Sequence, residues 1–535
     1  MSGSQDAHLE NCDRGSLSRK FVSPLIFGLI LCLGFTQSAL AGAAPKELRR
    51  VVVVVWDGMR PDFVTPENTP ALWKLAQEGV SFRNNHAVYP SATHVNGAAL
   101  LTGVYPDHSG LAVNYDYRPD IDDKKFVSTE QPAVVRKGDE ISGGKYLAVP
   151  TIAELVRASG GRTVIAGAKT VTFLLDRQLD RGETRQSVNL FAGESLPSDA
   201  IRPILAALGS FPSGHVQQDI WTTRALTDFL WKDGVPIFSV LWLGEPDLTQ
   251  HESAPGAPPA LAAIKSADDN LVAVVAALDR QKIRATTDIF VVSDHGFSTI
   301  EHSVDFRKIL NEAGFTAMTQ FTSEPKKGDI MLVGNGGTVL FYVIGHDSTV
   351  THRLVEFLQQ SDFAGVIFTK ESISGTFGFD KAKIDNEHVP DVEIAFRWND
   401  SKNQFGVAGM IDGDWNRQAG KGTHATLSRF DMHNTLIAAG PDFRRGYTNE
   451  LPSGNVDLAP TILRSLGITP PQPVDGRILS EAMVNKDAVM LKPETKTIEA
   501  TKDFPSGTWR QSLQISRIGS TEYLNEGNGR FEMKR

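Results

Sequence analysis

Three strand-like runs, each ending in candidate metal ligands, constrain this chain most. Val51–Trp56 is a run of valines closed by a tryptophan, and it leads into Asp57. Ile237–Leu243 leads into Asp247 and then His251. Asp288–Ser293 leads into Asp294 and His295. An unbroken β-branched run reads as a strand buried on both faces, as in a parallel sheet. In such sheets ligands collect just beyond the carboxyl ends of the strands. Carboxylates and imidazoles that lie far apart in sequence are therefore expected in one crevice.

The remaining pattern suits such a sheet. Helices are expected at Thr69–Glu78, at Thr93–Leu101 behind Pro90-Ser91, and at Pro150–Ala158 ahead of a strand at Arg162–Ala168. Gln217–Trp231 is amphipathic, and Pro259–Leu278 is a longer helix before the strand that ends at Asp294. Strand and helix alternating at this spacing predict an α/β fold with a mostly parallel central sheet flanked by helices. With 535 residues, one large core with insertions is reasonable. The core domain is expected over 47–484. A less regular stretch, about 311–420, reads as an inserted cap subdomain, with a strand-like piece at Gly337–Ile344 and a helix near Thr351–Gln360. Asp457–Leu466 reads as a helix. From Asn485 the chain turns polar, so 485–535 is expected to be a peripheral C-terminal extension.

Residues 1–41 read as an export signal, which places the mature chain in the periplasm or outside the cell. Arg14, Arg19 and Lys20 form the basic flank, Phe21–Phe35 the apolar stretch, and Ala39-Leu40-Ala41 the cleavage site. That stretch is shorter than the ~20 residues of a spanning helix, so no stable membrane anchor is expected after cleavage. Both cysteines, Cys12 and Cys32, lie in this segment. The mature chain is then free of disulfides and thiolate ligands, and any metal must be held by His and carboxylate. The net charge of −9 disfavours a nucleic-acid polymer as partner. The sequence sets no oligomeric state.

Asp247 and His251 are spaced i, i+4 and share one face of a helical turn. Such a pair alone is commonly a solvated Asp and a surface His. Asp294-His295-Gly296 is more specific, because the glycine lets backbone approach closely after two adjacent ligands. Asp57-Gly58 alone could be an ordinary turn, and His424 alone carries no signal. Together these residues offer mixed O/N ligation that fits two Zn²⁺, with Mn²⁺ or Fe as alternatives. Thr93 opens a helix. Its hydroxyl is a weak nucleophile that metal coordination would activate. Without the ligands, Thr93 or Ser91 would read as a plain N-cap.

The ordered motifs are similar to those of the alkaline phosphatase superfamily, and most to its type I phosphodiesterase/nucleotide pyrophosphatase branch. They are Val55-Trp56-Asp57-Gly58, Tyr89-Pro90-Ser91-Ala92-Thr93, Thr102-Gly103-Val104-Tyr105-Pro106, and Glu245-Pro246-Asp247-Leu248-Thr249-Gln250-His251. Ser293-Asp294-His295-Gly296, Gly422-Thr423-His424, Asp457-Leu458-Ala459-Pro460-Thr461 and Asp475-Gly476-Arg477 follow in the family's order. The resemblance implies an alkaline-phosphatase-like fold and a small phosphate ester as substrate. It implies one metal held by Asp57, Asp294 and His295 with Thr93 bound to it, and a second held by Asp247, His251 and His424. Asn114 would hydrogen-bond a non-bridging phosphate oxygen. Thr93 would attack phosphorus in line, and water would hydrolyse the phosphothreonine intermediate.

The pattern departs from the family at several positions. His94 replaces an aromatic that can stack a nucleobase, Gln250 stands where a Gly usually precedes the ligand histidine, and Ala425 where a Gly usually follows the last one. Trp242 sits where the family has a base-stacking tyrosine and would either take that role or pack in the core at the strand end. Lys169 is a candidate substrate-binding cation and points to the alternative function, a phosphomonoesterase or phosphonate hydrolase on the same scaffold. The sulfatase branch is disfavoured because His94-Val95-Asn96-Gly97 follows Thr93 in place of that branch's x-Pro-x-Arg. A non-catalytic binding protein would be expected to lack Thr93 or a ligand, and none is missing.

Overall fold

The computed structural model describes residues 49–179, 186–484 and 491–534. The proposed export signal lies outside the described residues. Among the described residues no helix is long and apolar enough to cross a membrane.

The Arg50–Trp56 strand lies at the middle of a nine-stranded sheet. It runs parallel to Phe238–Leu243 on one side and Thr287–Val292 on the other. Thr163–Gly167 and Val188–Phe191 extend the parallel part. Leu436–Ala439 adds to the far side in the antiparallel sense. The valine run has its sequence because both of its faces are covered. Val51, Val53 and Val55 join one apolar core, and Val52, Val54 and Trp56 join the other, all of them inaccessible to solvent. Each such side chain contributes about 1.5–3 kcal/mol by leaving water. The helices Pro70–Glu78 and Pro258–Arg280 pack on the second core. The amphipathic segment near 217–231 is not one regular helix. It is α-helical over His215–Arg224 and widens to a π-helix over Ala225–Leu230.

Between Ser298 and Thr423 the chain builds two smaller sheets. Ala317–Met318, Ile330–Gly334, Thr338–Val343, Ala364–Thr369 and Val392–Phe396 form a five-stranded one with its own core around Phe306, Phe341 and Phe396. Ser298–Val304, Trp398–Lys402, Ala408–Asp414 and Gly422–Thr423 form the other. Its last strand delivers His424 to the crevice.

The polar C-terminal stretch is ordered and packed. Glu494–Phe504, Gly507–Ile518 and Thr521–Met533 form an antiparallel meander. One face of the middle strand carries Trp509, Gln511, Leu513 and Ile515, all buried. Trp509 donates to the Gly375 carbonyl at 2.9 Å, and Gln511 pairs with both main-chain groups of Ile367. Strand alternation hides half of the polar residues' apolar partners from a composition reading, because only every second residue faces in.

Candidate active site

Asp57, Asp247 and Asp294 all lie just past the carboxyl ends of adjacent parallel strands. Each is buried. Local hydrogen bonds fix the three turns against each other. The Asp247 N–H donates to the Asp57 carbonyl at 3.0 Å, and the Gly58 N–H donates to Asp294 Oδ1 at 3.0 Å. Gly296 is required by proximity: a Cβ there would lie 2.0 Å from the Phe430 carbonyl oxygen.

Thr93 is the first residue of the Thr93–Thr102 helix, and extended Ala92 is its N-cap. Ser91 does not cap this helix. Its hydroxyl donates to the Thr426 carbonyl at 2.8 Å. The Thr93 hydroxyl lies 3.2 Å from His295 Nε2 and 3.4 Å from Asp57 Oδ1. His295 Nε2 is 3.3 Å from Asp294 Oδ2 and 3.5 Å from Asp57 Oδ1. On the other side Asp247 Oδ1 is 3.3 Å from His251 Nε2 and 3.5 Å from His424 Nε2.

Two sets of ligand atoms each lie within 4.8 Å of one another: Asp57, Asp294 and His295, and Asp247, His295 and His424. His295 therefore stands between the two groups, and His251 reaches Asp247 from outside the second set. All three imidazoles place Nδ1 against a main-chain carbonyl: His251 on Gly422 at 3.0 Å, His295 on Gly296 at 2.8 Å, and His424 on Ser91 at 2.8 Å. A carbonyl only accepts, so each Nδ1 carries a proton and each Nε2 is the ring atom turned to the crevice.

The electrostatics fit a cation. Burial and the facing Asp294 push Asp57 up. Burial likewise pushes Asp294 up to about 6. Burial and the neighbouring His295 hold His424 well below the usual imidazole range, and burial lowers His251. Asp247 Oδ1 and Asp294 Oδ2 are buried without a hydrogen-bond donor among the described residues. Crowded carboxylates, neutral imidazoles and undonated oxygens are the donor set that divalent cations take.

Lys169 enters this cluster. Its Nζ is 3.0 Å from Asp57 Oδ2, 3.0 Å from Asp247 Oδ2 and 3.5 Å from Thr93 Oγ1. Burial would lower its pKa, but Asp247, Asp57 and Asp294 together hold it well above the ordinary lysine value. Asn114 lies over the start of the helix, where its Oδ1 accepts the His94 N–H at 2.8 Å.

Of the two readings of Trp242, core packing is the one its burial matches, and the indole is not open to stack a base. It is fully buried within the Phe238–Leu243 strand, and its Nε1 donates to Asp57 Oδ2 at 2.9 Å. A central strand covered on both faces has no open side chains. Only the residues past its end reach the crevice. The aromatics that do line the cleft are Tyr115 and Phe126, which meet edge to face with centroids 5.8 Å apart. The sequence reading missed both. The weak signal was that Tyr115 directly follows Asn114. It also missed Glu130, whose carboxylate lies 2.9 Å from His94 Nε2 and accepts from Thr170 at 2.7 Å.

The cleft above these groups measures about 600 Å³. A mostly parallel α/β sheet with Asp and His collected at its strand ends defines a metal-dependent hydrolase of alkaline-phosphatase-like fold. The family model described as type I phosphodiesterase/nucleotide pyrophosphatase matches residues 51–399, and the chain belongs to that family. It is 20% identical over 451 residues to mouse ectonucleotide pyrophosphatase/phosphodiesterase family member 7, covering 84% of this chain and 90% of that protein. Human bis(5'-adenosyl)-triphosphatase ENPP4 is 22% identical over 461 residues, 83% of each chain. Murine ectonucleotide pyrophosphatase/phosphodiesterase 5, solved as an inactive form with AMP, superposes with a TM-score of 0.57 at 17% identity. That match covers 81% of this chain and all of the other. The family's activity is hydrolysis of phosphodiester and pyrophosphate bonds.

Proposed function

We propose that this chain is an exported two-metal hydrolase that cleaves a phosphodiester or phosphoanhydride bond through a phosphothreonine intermediate on Thr93. The observation that carries this reading is the position of the Thr93 hydroxyl, 3.2 Å from His295 and 3.4 Å from Asp57, at the start of a helix. Asp57, Asp294 and His295 would hold one divalent cation, and Asp247, His251 and His424 the other, with Zn²⁺ best matched to the O/N donors. When bound, the two cations supply positive charge at the attacking and leaving oxygens.

The chain's own groups do the rest. Thr93 Oγ1 forms the bond to phosphorus while the bond to the leaving oxygen breaks, and water then cleaves the Thr93 ester. Asn114 commits its Oδ1 to the His94 N–H, so its NH₂ group is the end left for a phosphoryl oxygen. Lys169 adds a cation 3.5 Å from the nucleophile. Trp242 holds Asp57 in orientation through its N–H. Tyr115 and Phe126 supply apolar area for the rest of a diester substrate.

Lys169 also favours the second reading, a phosphomonoesterase, since a monoester carries one more negative charge. The cleft volume and its aromatics favour the diester. Comparing kcat/KM on a nitrophenyl ester of a nucleoside monophosphate and on plain nitrophenyl phosphate, with Zn²⁺ supplied, tests the choice. The expected result is preference for the diester, abolished by a chelator. Preference for the monoester overturns it.

A further inference from the structure

The cleft's second wall comes from the small sheets inserted before His424, and it carries one cation with no assigned task. Arg417 is half-buried in the turn after the Ala408–Asp414 strand and lines the same cleft as Asp247, His251 and His424. The other charged side chains there are engaged. Lys169 lies on Asp57 and Asp247, and Glu130 lies against His94. Among the described residues, Arg417 has no ion-pair partner. It is near enough to act electrostatically on His251, Tyr115 and Asp414.

The turn that bears it is built to leave it free. Asp414 is a candidate partner within electrostatic range, and it spends its buried carboxylate on the turn itself. Its Oδ2 accepts from the Gly336 N–H at 2.7 Å and from Asn416 Nδ2 at 2.9 Å. Its Oδ1 accepts from the Asn416 N–H at 2.8 Å. The same carboxylate thus ties the Arg417 turn to the Gly334–Gly336 turn. Asn335 in that turn in its turn clamps Tyr115, accepting its N–H at 2.8 Å and donating to its carbonyl at 3.1 Å. Ser303 fixes the Arg417 carbonyl. Arg417 lines the cleft with Asp247, His251 and His424 and acts on His251, the outer ligand of that set. In the proposed reaction that set is on the side of the leaving oxygen.

We propose that Arg417 is a specificity-determining residue that reads negative charge on the leaving group. The favoured substrates are then phosphoanhydrides, or diesters whose leaving arm carries a second anionic group, over diesters with an uncharged leaving arm. A guanidinium suits this task because it stays charged and offers forked donors to phosphate or carboxylate oxygens. The inference rests on the hydrolase reading above and adds the class of leaving group to it.

The test uses two substrates with the same transferred nucleoside monophosphate. One is a nucleoside 5'-triphosphate, whose leaving group is pyrophosphate. The other is the nitrophenyl ester, whose leaving arm carries no phosphate. Arg417→Ala is expected to lower the ratio of the two kcat/KM values by about 10- to 100-fold, the range for losing a charge-assisted hydrogen bond. Arg417→Lys is expected to recover part of that ratio. The dependence of kcat/KM for the triphosphate on ionic strength is expected to flatten in Arg417→Ala. Equal losses on both substrates, or no loss on either, overturn the inference. A wild-type protein that cleaves neither substrate overturns the hydrolase reading instead.

Discussion

The floor of the cleft and its wall are built on different principles. The floor is the carboxyl end of the central sheet, where Asp57, Asp247, Asp294 and His295 sit at most 1% exposed, each held by main-chain bonds. The wall is loop and insertion: Asn114, Tyr115, Phe126, Asn335 and Arg417 line it, and Tyr115 is 41% exposed. A floor locked by strand register can hold reacting groups to fractions of an ångström, as charge stabilisation requires. A wall of turns can change without disturbing that geometry, which is how one scaffold accepts different substrates. The floor therefore sets the chemistry, and the wall sets what is offered to it.

Breaking the floor is expected to have the largest effect. Thr93→Ala is expected to lower kcat by about 10³-fold or more, since among the described residues no other hydroxyl is bonded to both Asp57 and His295. Stopped assays on protein of verified fold check this. Next comes Trp242→Phe, which keeps an aromatic ring in the core but removes the donor to Asp57. It is expected to lower kcat about tenfold, the scale of one hydrogen bond to a charged group, with KM little changed. If Trp242 instead stacked a base, KM would carry the loss. On the wall the split is expected to reverse. Tyr115→Ala should raise KM for the nucleoside diester about fivefold and leave kcat within about twofold, as expected for lost aromatic contact.

Two further expectations concern stability, one in the insertion behind the wall and one beside His424. Glu393 is buried there, and burial, with Asp116 nearby, pushes it up to about 8 from 4.5. The folded protein then keeps a proton that the unfolded chain releases. Glu393's contribution to stability is full below pH 4.5 and is lost as pH rises to about 8. Glu393→Gln is expected to flatten that slope in denaturant titrations across this range. The smallest effect is expected at Ala425, which is buried with φ +80° beside His424. Ala425→Gly removes left-handed strain of about 1 kcal/mol, partly offset by glycine's greater freedom when unfolded. A melting temperature raised by a degree or two is the expected result.

The floor was legible in the sequence because its signals are periodic and terminal. The valine run announces a doubly covered strand, and a carboxylate directly after it has only one place to go. The same logic decides between stacking and core packing for Trp242. It lies inside the run, where the pattern that identified the strand also implies burial. Lys169 was only a candidate, because one lysine after a strand looks the same whether it faces solvent or two aspartates. The wall was not legible. Tyr115 lies in, and Phe126 directly precedes, the strands of one short antiparallel pair, and Asn335 and Arg417 come from two turns of the insertion. Their meeting depends on pairings such as Asn335 with Tyr115, 220 residues apart, that no local pattern encodes. The C-terminal meander was obscured for a related reason. Its polar outer residues dominate the composition, and its inward face shows only at every second position.

The central claim is that Thr93 carries the reacting phosphoryl group. The most direct measurement is acid-quenched mass spectrometry of the zinc-loaded protein during turnover of a nucleoside diester, with peptide mapping. The account predicts a phosphoryl ester on the peptide at Thr93, absent in Thr93→Ala. Undiminished turnover by Thr93→Ala, or an adduct on a different residue, would contradict it.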